Sequence, residues 1–136
     1  TMIQKVYQQT IQCELIDKAY VLTDDIRVKE SVEEIGGNCL MITDECLNGT
    51  ERICIAICKF PELFQNVKYI VNVQGDEPLL NHEDIQKIID IKKENMNSVI
   101  NGMCSLTSLL SLSHPPLKHL SLVSKAICRR IPYIVS

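Results

Sequence analysis

The stretch from Tyr69 to Leu80, Tyr-Ile-Val-Asn-Val-Gln-Gly-Asp-Glu-Pro-Leu-Leu, constrains this chain more than any other. Tyr69, Ile70, Val71 and Val73 are aromatic or β-branched and suit a buried, pleated strand. The run then stops at two carboxylates and a proline. Gly75 lets the backbone turn sharply or approach a ligand, and Pro78 removes the donor that would continue a ladder. In open α/β sheets ligands bind where the carboxyl ends of the strands open into loops, so Asp76 and Glu77 stand where chemistry is usually done. Asp76 suits a hard divalent cation, because Mg²⁺ is typically held by one or two carboxylates together with substrate phosphates. The plainer alternative is that Gly, Asp, Glu and Pro simply make a turn.

Around this stretch short β-prone runs alternate with helical periods. Met2 to Cys13 carries apolar residues at the spacings of an amphipathic helix. Lys18 to Leu22 reads as a strand, and Thr23-Asp24-Asp25 caps a helix that ends at Gly36-Gly37. Asn38 to Ile42 makes the next strand, and Thr43 to Leu47 is a loop of the kind that binds substrates. Asn48 then starts a helix that runs to Phe60, with Glu51 three residues on in the manner of a capping box, and Pro61 ends it. Its first turn is either a well-made cap or a donor of free amides to phosphate and base oxygens. Asn81 starts another helix, with His82 as a solvated first-turn residue and Ile85, Ile88 and Ile89 on the buried face. Ser98 to Leu106 reads as a strand, and Thr107 to Ser124 shows no helical or strand period. The alternation implies an α/β fold around a parallel sheet.

Composition excludes several classes. The net charge of −3 gives no general support to nucleic-acid binding, and no apolar run approaches a transmembrane span. The first residues lack the apolar core of a signal peptide. Seven cysteines include no C-x-x-C pair, and their odd number argues against a closed disulfide framework, so reduced thiols and a cytoplasmic location are expected. Cys54 and Cys58, four apart, are expected to pack as small hydrophobes rather than bind metal. Residues 105–136 hold Lys118, Lys125, Arg129 and Arg130 and no acid, a net +4 against −7 for residues 1–104, which marks a compositional boundary near Ser105.

Nine residues in register, Val-Asn-Val-Gln-Gly-Asp-Glu-Pro-Leu from Val71, resemble the signature of the CMP-KDO synthetases, the 3-deoxy-manno-octulosonate cytidylyltransferases. The loop Thr43-Asp44-Glu45-Cys46-Leu47-Asn48-Gly49-Thr50-Glu51-Arg52 is similar to that family's nucleotide loop, with Cys46 and Asn48 departing from the bacterial His and Ser toward the plant-type branch. The resemblance, good from Met2 to about Ser105, implies a three-layer α/β/α, Rossmann-like nucleotide-diphospho-sugar transferase fold. It further implies CTP and KDO as substrates, CMP-KDO and pyrophosphate as products, Mg²⁺ as the cofactor, and a homodimer left open. By the same match Asp76 would hold the metal, Gln74 would orient the sugar acid from the same face of the strand, and Gly49, Thr50 and Arg52 would contact base and ribose.

The family's glycine loop would precede Thr1 and its second metal-binding aspartate would follow Ser136, so the chain is expected to be a fragment lacking both ends and inactive alone. Residues 1–104 form the partial cytidylyltransferase domain and residues 105–136 its divergent tail, in which only Ile131-Pro132-Tyr133 matches the family clearly. A plant-type protein would be organellar, in mitochondria. The competing readings are a non-catalytic remnant that offers an unpaired sheet edge to a partner, and a cytidylyltransferase of the CMP-sialic acid type, against which Gln-Gly-Asp-Glu-Pro favours KDO.

Overall fold

The computed structural model describes residues 1–77, 79–103, 119–123 and 134–135. Their order is α1 (Met2–Ile11), β1 (Val21–Thr23), α2 (Ile26–Glu33), β2 (Cys39–Met41), α3 (Gly49–Lys59), a 3₁₀ turn (Pro61–Phe64), β3 (Asn72–Val73), α4 (His82–Glu94), β4 (Val99–Met103), β5 (His119–Val123) and β6 (Ile134–Val135). Four strands form a parallel sheet in the order β2-β1-β6-β3, and β4 and β5 form a separate antiparallel pair.

Alternation along β1 sends its side chains to two cores. Val21 packs with Val6, Tyr7, Val32, Val73, Ile85 and Ile89, so α1, α2 and α4 cover one face of the sheet. Leu22 packs on the other face with Tyr20, Ile42, Ile53, Ala56 and Phe64, under α3 and the 3₁₀ turn. Helices on both faces of a parallel sheet make the three-layer fold that the sequence implies. The chain winds outward from β1 to β2 on the first face, then returns across the second face through α3 to β3 at the far edge. The carboxyl ends of β1 and β3 therefore face one another across β6, and crevices at such reversals are where ligands bind in these folds.

Local chemistry explains the boundaries. α2 begins with the Asp25 carboxylate accepting from Arg27 N at 2.9 Å, and ends with Gly36 at φ +71°. Gly37 closes the turn by donating to Val32 O at 2.9 Å, and a Cβ there would lie 2.7 Å from Val32 Cγ1. Tyr7 ties α1 to the start of β2: its hydroxyl accepts from Asn38 N at 3.1 Å, and Asn38 Nδ2 also donates to Ala19 O at 3.2 Å.

Several expectations need correction. The strand expected over Tyr69–Val73 is laddered only at Asn72–Val73, where it pairs with β6, its one neighbour among the described residues. Ile70 and Val71 still pack on opposite cores, so the pleat persists without the pairing. Thr107–Ser124 contains β5, whose period of two at Leu120 and Leu122 is hidden among similar Ser and Leu neighbours. Cys54 and Cys58 are exposed, because Ile53 and Ala56 supply the buried stripe of α3. His82 is half-buried, and its Nδ1 is enclosed without a hydrogen-bond partner rather than solvated. Arg129, Arg130 and Ile131–Tyr133 lie outside the described residues. Among the described residues no helix is long and apolar enough to cross a membrane.

Candidate functional site

α3 begins where β2 has delivered the chain to the carboxyl end of the sheet. Asn48 Oδ1 accepts from Glu51 N at 3.0 Å, fixing the first turn. Glu51 reaches back to Leu47 N at 2.6 Å rather than to the cap residue's own amide, so the expected box is shifted by one residue and braces the preceding loop. The first-turn amides of Gly49 and Thr50 have no carbonyl four residues earlier within the helix to bond. Arg52 lies on the same turn.

The second wall comes from β3. Beyond Val73 the chain turns through Gln74-Gly75-Asp76-Glu77, closed by Glu77 N donating to Gln74 O at 3.3 Å. Gly75 and Asp76 occupy the middle of this turn, and the side chains of Gln74, Asp76 and Glu77 are exposed. Between the walls lies an open cavity of about 470 Å³ lined by Cys46, Asn48, Gly49, Thr50, Arg52, Asn72, Gln74, Gly75 and Asp76. All five residues singled out from the sequence, Gly49, Thr50, Arg52, Gln74 and Asp76, thus border one space. Glu77 is absent from that lining.

From the sequence, Thr23-Asp24-Asp25 is expected to cap α2, and nothing there assigns Asp24 a partner. Asp25 is the cap; Asp24 instead reaches α3, where Arg52 Nη1 donates to its Oδ1 and Nη2 to its Oδ2, each at 3.2 Å. The guanidinium holds the Asp24 carboxyl below the usual carboxylate range. Arg52 is pulled down by burial but raised more by its hydrogen bonds to Asp24 and Cys46, so it stays charged. Asp44, in the loop before α3, is held low by its contact with Lys59 at the helix's other end. The signal available for Asp24 was its place one residue past a strand, on the side where ligands bind.

No group of three or more His, Cys, Asp or Glu among the described residues forms a metal cage. The donors at the β3 end, the Asp76 carboxylate and the Gln74 amide oxygen, are hard oxygens. They fit a cation that keeps several waters and completes its shell from a bound ligand, and they do not fit a protein-only site such as structural zinc.

The cytidylyltransferase family model matches residues 1–123. The chain belongs to the cytidylyltransferase family. Among curated relatives, the 3-deoxy-manno-octulosonate cytidylyltransferase of Chlamydia abortus is 40% identical over 89 residues, covering 65% of this chain and 34% of the relative. That of Thermodesulfovibrio yellowstonii is 36% identical over 101 residues, covering 72% of this chain and 40% of the relative. This cytidylyltransferase chain also resembles a solved structure of CMP:2-keto-3-deoxy-manno-octonic acid synthetase complexed with CTP, with a TM-score of 0.66 and 27% identity over 76% of this chain and 41% of that one. It therefore spans about a third to two-fifths of the length of these relatives. The likeness accords with the three-layer, Rossmann-like nucleotidyltransferase fold described above.

Proposed function

We propose that this protein takes part in transferring a cytidylyl group from CTP to 3-deoxy-manno-octulosonate, releasing pyrophosphate. One observation carries the reading: the first turn of α3 and the turn after β3 border a single cavity, so the nucleotide-loop residues Gly49, Thr50 and Arg52 stand opposite Gln74 and Asp76. The similarity to a synthetase complexed with CTP supports the nucleotide, and the names of the curated relatives support the sugar acid.

In this reading the Gly49 and Thr50 amides and the Arg52 fork hold base and ribose. Gln74 orients the acceptor so that its anomeric oxygen attacks the α-phosphorus in line as the bond to pyrophosphate breaks. Asp76 would hold a divalent cation, Mg²⁺, which when bound supplies charge neutralisation at the phosphates. Among the described residues Arg52 is the only cationic side chain lining the cavity, so this chain is poorly equipped to hold a triphosphate alone. It is therefore expected to bind nucleotide weakly and to show no turnover alone. Residues 105–136 are read as part of the same domain, a view supported by β6 pairing with both β1 and β3.

Titrating the 136-residue chain with CTP, with and without Mg²⁺, while following backbone amides by NMR tests the proposal. Shifts at Gly49, Thr50 and Arg52 on CTP, and further shifts at Gln74–Glu77 only when Mg²⁺ is added, are expected. Absence of any CTP-dependent shift would leave the competing reading of a non-catalytic remnant. An assay with CTP, KDO and Mg²⁺ on the same chain checks the turnover: a rate on the order of 1 to 1,000 per second would contradict the expectation of inactivity.

A further inference from the structure

The geometry points to Asp24 as the positioning residue that makes Arg52 a reader of an uncharged nucleobase edge rather than an anchor for phosphate. This rests on the nucleotide reading above, which already gives Arg52 to the base and ribose, and goes beyond it by naming the residue that sets that preference. A guanidinium carries five N–H donors in a rigid planar fork. Asp24 takes one hydrogen from each terminal nitrogen, at 3.2 Å and 3.2 Å, which fixes the plane of the fork and leaves three N–H hydrogens, one of them shared with Cys46, for other acceptors. The side chain of Arg52 is 21% exposed and that of Asp24 59% exposed, so the pair bridges a half-buried fork and a carboxylate open to solvent. The two residues lie 28 positions apart, on the loop after β1 and on α3, so the contact also sets where α3 presents the fork relative to the sheet.

Charge decides between the two roles. Phosphate draws on both the positive charge and the bidentate fork of Arg, and a guanidinium whose two terminal nitrogens already serve a carboxylate has part of that charge offset while keeping directional donors on its remaining edge. Among the described residues Asp76 is the other charged one lining the cavity. Counting Arg52, Asp24 and Asp76 together, the site is net negative and disfavours a bare polyphosphate. An uncharged acceptor edge, such as the carbonyl oxygen and unprotonated ring nitrogen of cytosine, meets no such penalty and can take two donors of a fixed fork.

The test uses the whole 136-residue chain, with cytidine and inorganic tripolyphosphate as separate probes, titrated at low salt into wild type, Asp24→Asn and Asp24→Glu. Removing the charge in Asp24→Asn is expected to weaken cytidine about five-fold or more, roughly 1 kcal/mol, while strengthening tripolyphosphate. Asp24→Glu keeps the charge but moves the fork, so cytidine should weaken with no gain for tripolyphosphate. Affinities for both probes falling together, alongside a lower thermal midpoint, would mean that Asp24 only braces α3, and the inference would be wrong. Unchanged cytidine affinity in both variants would overturn it as well. If Asp24→Asn fails to fold, Asp24→Glu decides: unchanged cytidine affinity, or a gain for tripolyphosphate, refutes the proposal. Wild type that binds neither cytidine nor CTP removes the nucleotide reading and this inference with it, whereas wild type that binds while the variants behave identically to it removes only this inference.

Discussion

Asp76 stands exposed at the middle of a turn, and no hydrogen bond or ion pair among the described residues occupies its carboxylate, unlike Asp24, Asp25 and Asp44. A carboxylate left without a partner beside a cavity is available to a cation, and that contrast gives the residue its own prediction. Asp76→Asn keeps the shape and one oxygen but loses the charge that a hard cation needs. Mg²⁺ is therefore expected to strengthen CTP binding to the wild-type chain and to have no such effect on the variant. The thermal midpoint should move by less than the equivalent of about 0.5 kcal/mol, as for an exposed site. Retained Mg²⁺ dependence in the titration would remove Asp76 from the metal site. The paired aspartates titrate differently. Arg27 holds Asp25 at about 2, below its ordinary 3.8, and Asp24 and Asp44 are lowered by Arg52 and Lys59. A depressed carboxylate contributes stability that is present above the unfolded value and is lost as pH falls through the folded one. Thermal midpoints measured against pH should therefore be level above about pH 5 and decline below about pH 4. Asp25→Asn should soften that decline, though only slightly because the pair is exposed.

The elements show what the sequence disclosed and what it withheld. Caps and turn residues are local chemistry, so Asp25, Asn48, Asn81 and Gly36 marked helix ends within a residue or two of where they fall. Strand-end and helix-start positions follow from order along the chain and marked Asp76 and the first turn of α3 as places where a ligand could bind, but the roles of Gly49, Thr50, Arg52 and Gln74 came from the resemblance of their motifs to the family's. What escaped were pairings set by distant partners. The pairing of β3 depends on β6, the exposure of Cys54 and Cys58 depends on which stripe of α3 meets Leu22, and the Asp24–Arg52 contact depends on how α3 lies against β1. Gly37 offers an element-scale test. A Cβ there would meet Val32 Cγ1 at 2.7 Å and Tyr7 Cε1 at 3.0 Å, contacts that join the end of α2 to α1. Gly37→Ala should cost about 1–3 kcal/mol by overpacking. Gly36→Ala has open space and is strained only by its φ of +71°, costing about 1 kcal/mol. Urea unfolding of the two variants distinguishes a steric defect from a conformational one: equal losses would mean that the α1–α2 contact yields freely.

At the scale of the molecule, the sheet is held together by its most distant partner in sequence. β1 and β3 do not pair with each other; each is hydrogen-bonded to β6, which registers Val135 against Val21 and against Val73. The Arg52 wall and the Asp76 wall of the cavity are carried by parts of the sheet on opposite sides of that strand, α3 following β2 and the Gln74–Glu77 turn following β3. The cavity's width is consequently set by a strand that brings no described residue to its lining. Val21 and Val135 are more than a hundred residues apart, a contact that carries a loop-closure cost, so β1 and β3 are joined only once β6 is in place. Removing residues 124–136 tests this dependence, because it deletes β6 while leaving α1, β1, α2, β2, α3 and α4 intact in sequence. If β6 bridges the sheet, the shortened chain keeps much of its helical circular dichroism, since its helices retain their own caps. It should nevertheless melt at a lower temperature with a broader transition and lose the CTP-dependent shifts at Gly49, Thr50 and Arg52. An unchanged midpoint with nucleotide binding retained would show that β1 and β3 hold their spacing without β6, and that the two walls of the cavity are positioned by the helical layers alone.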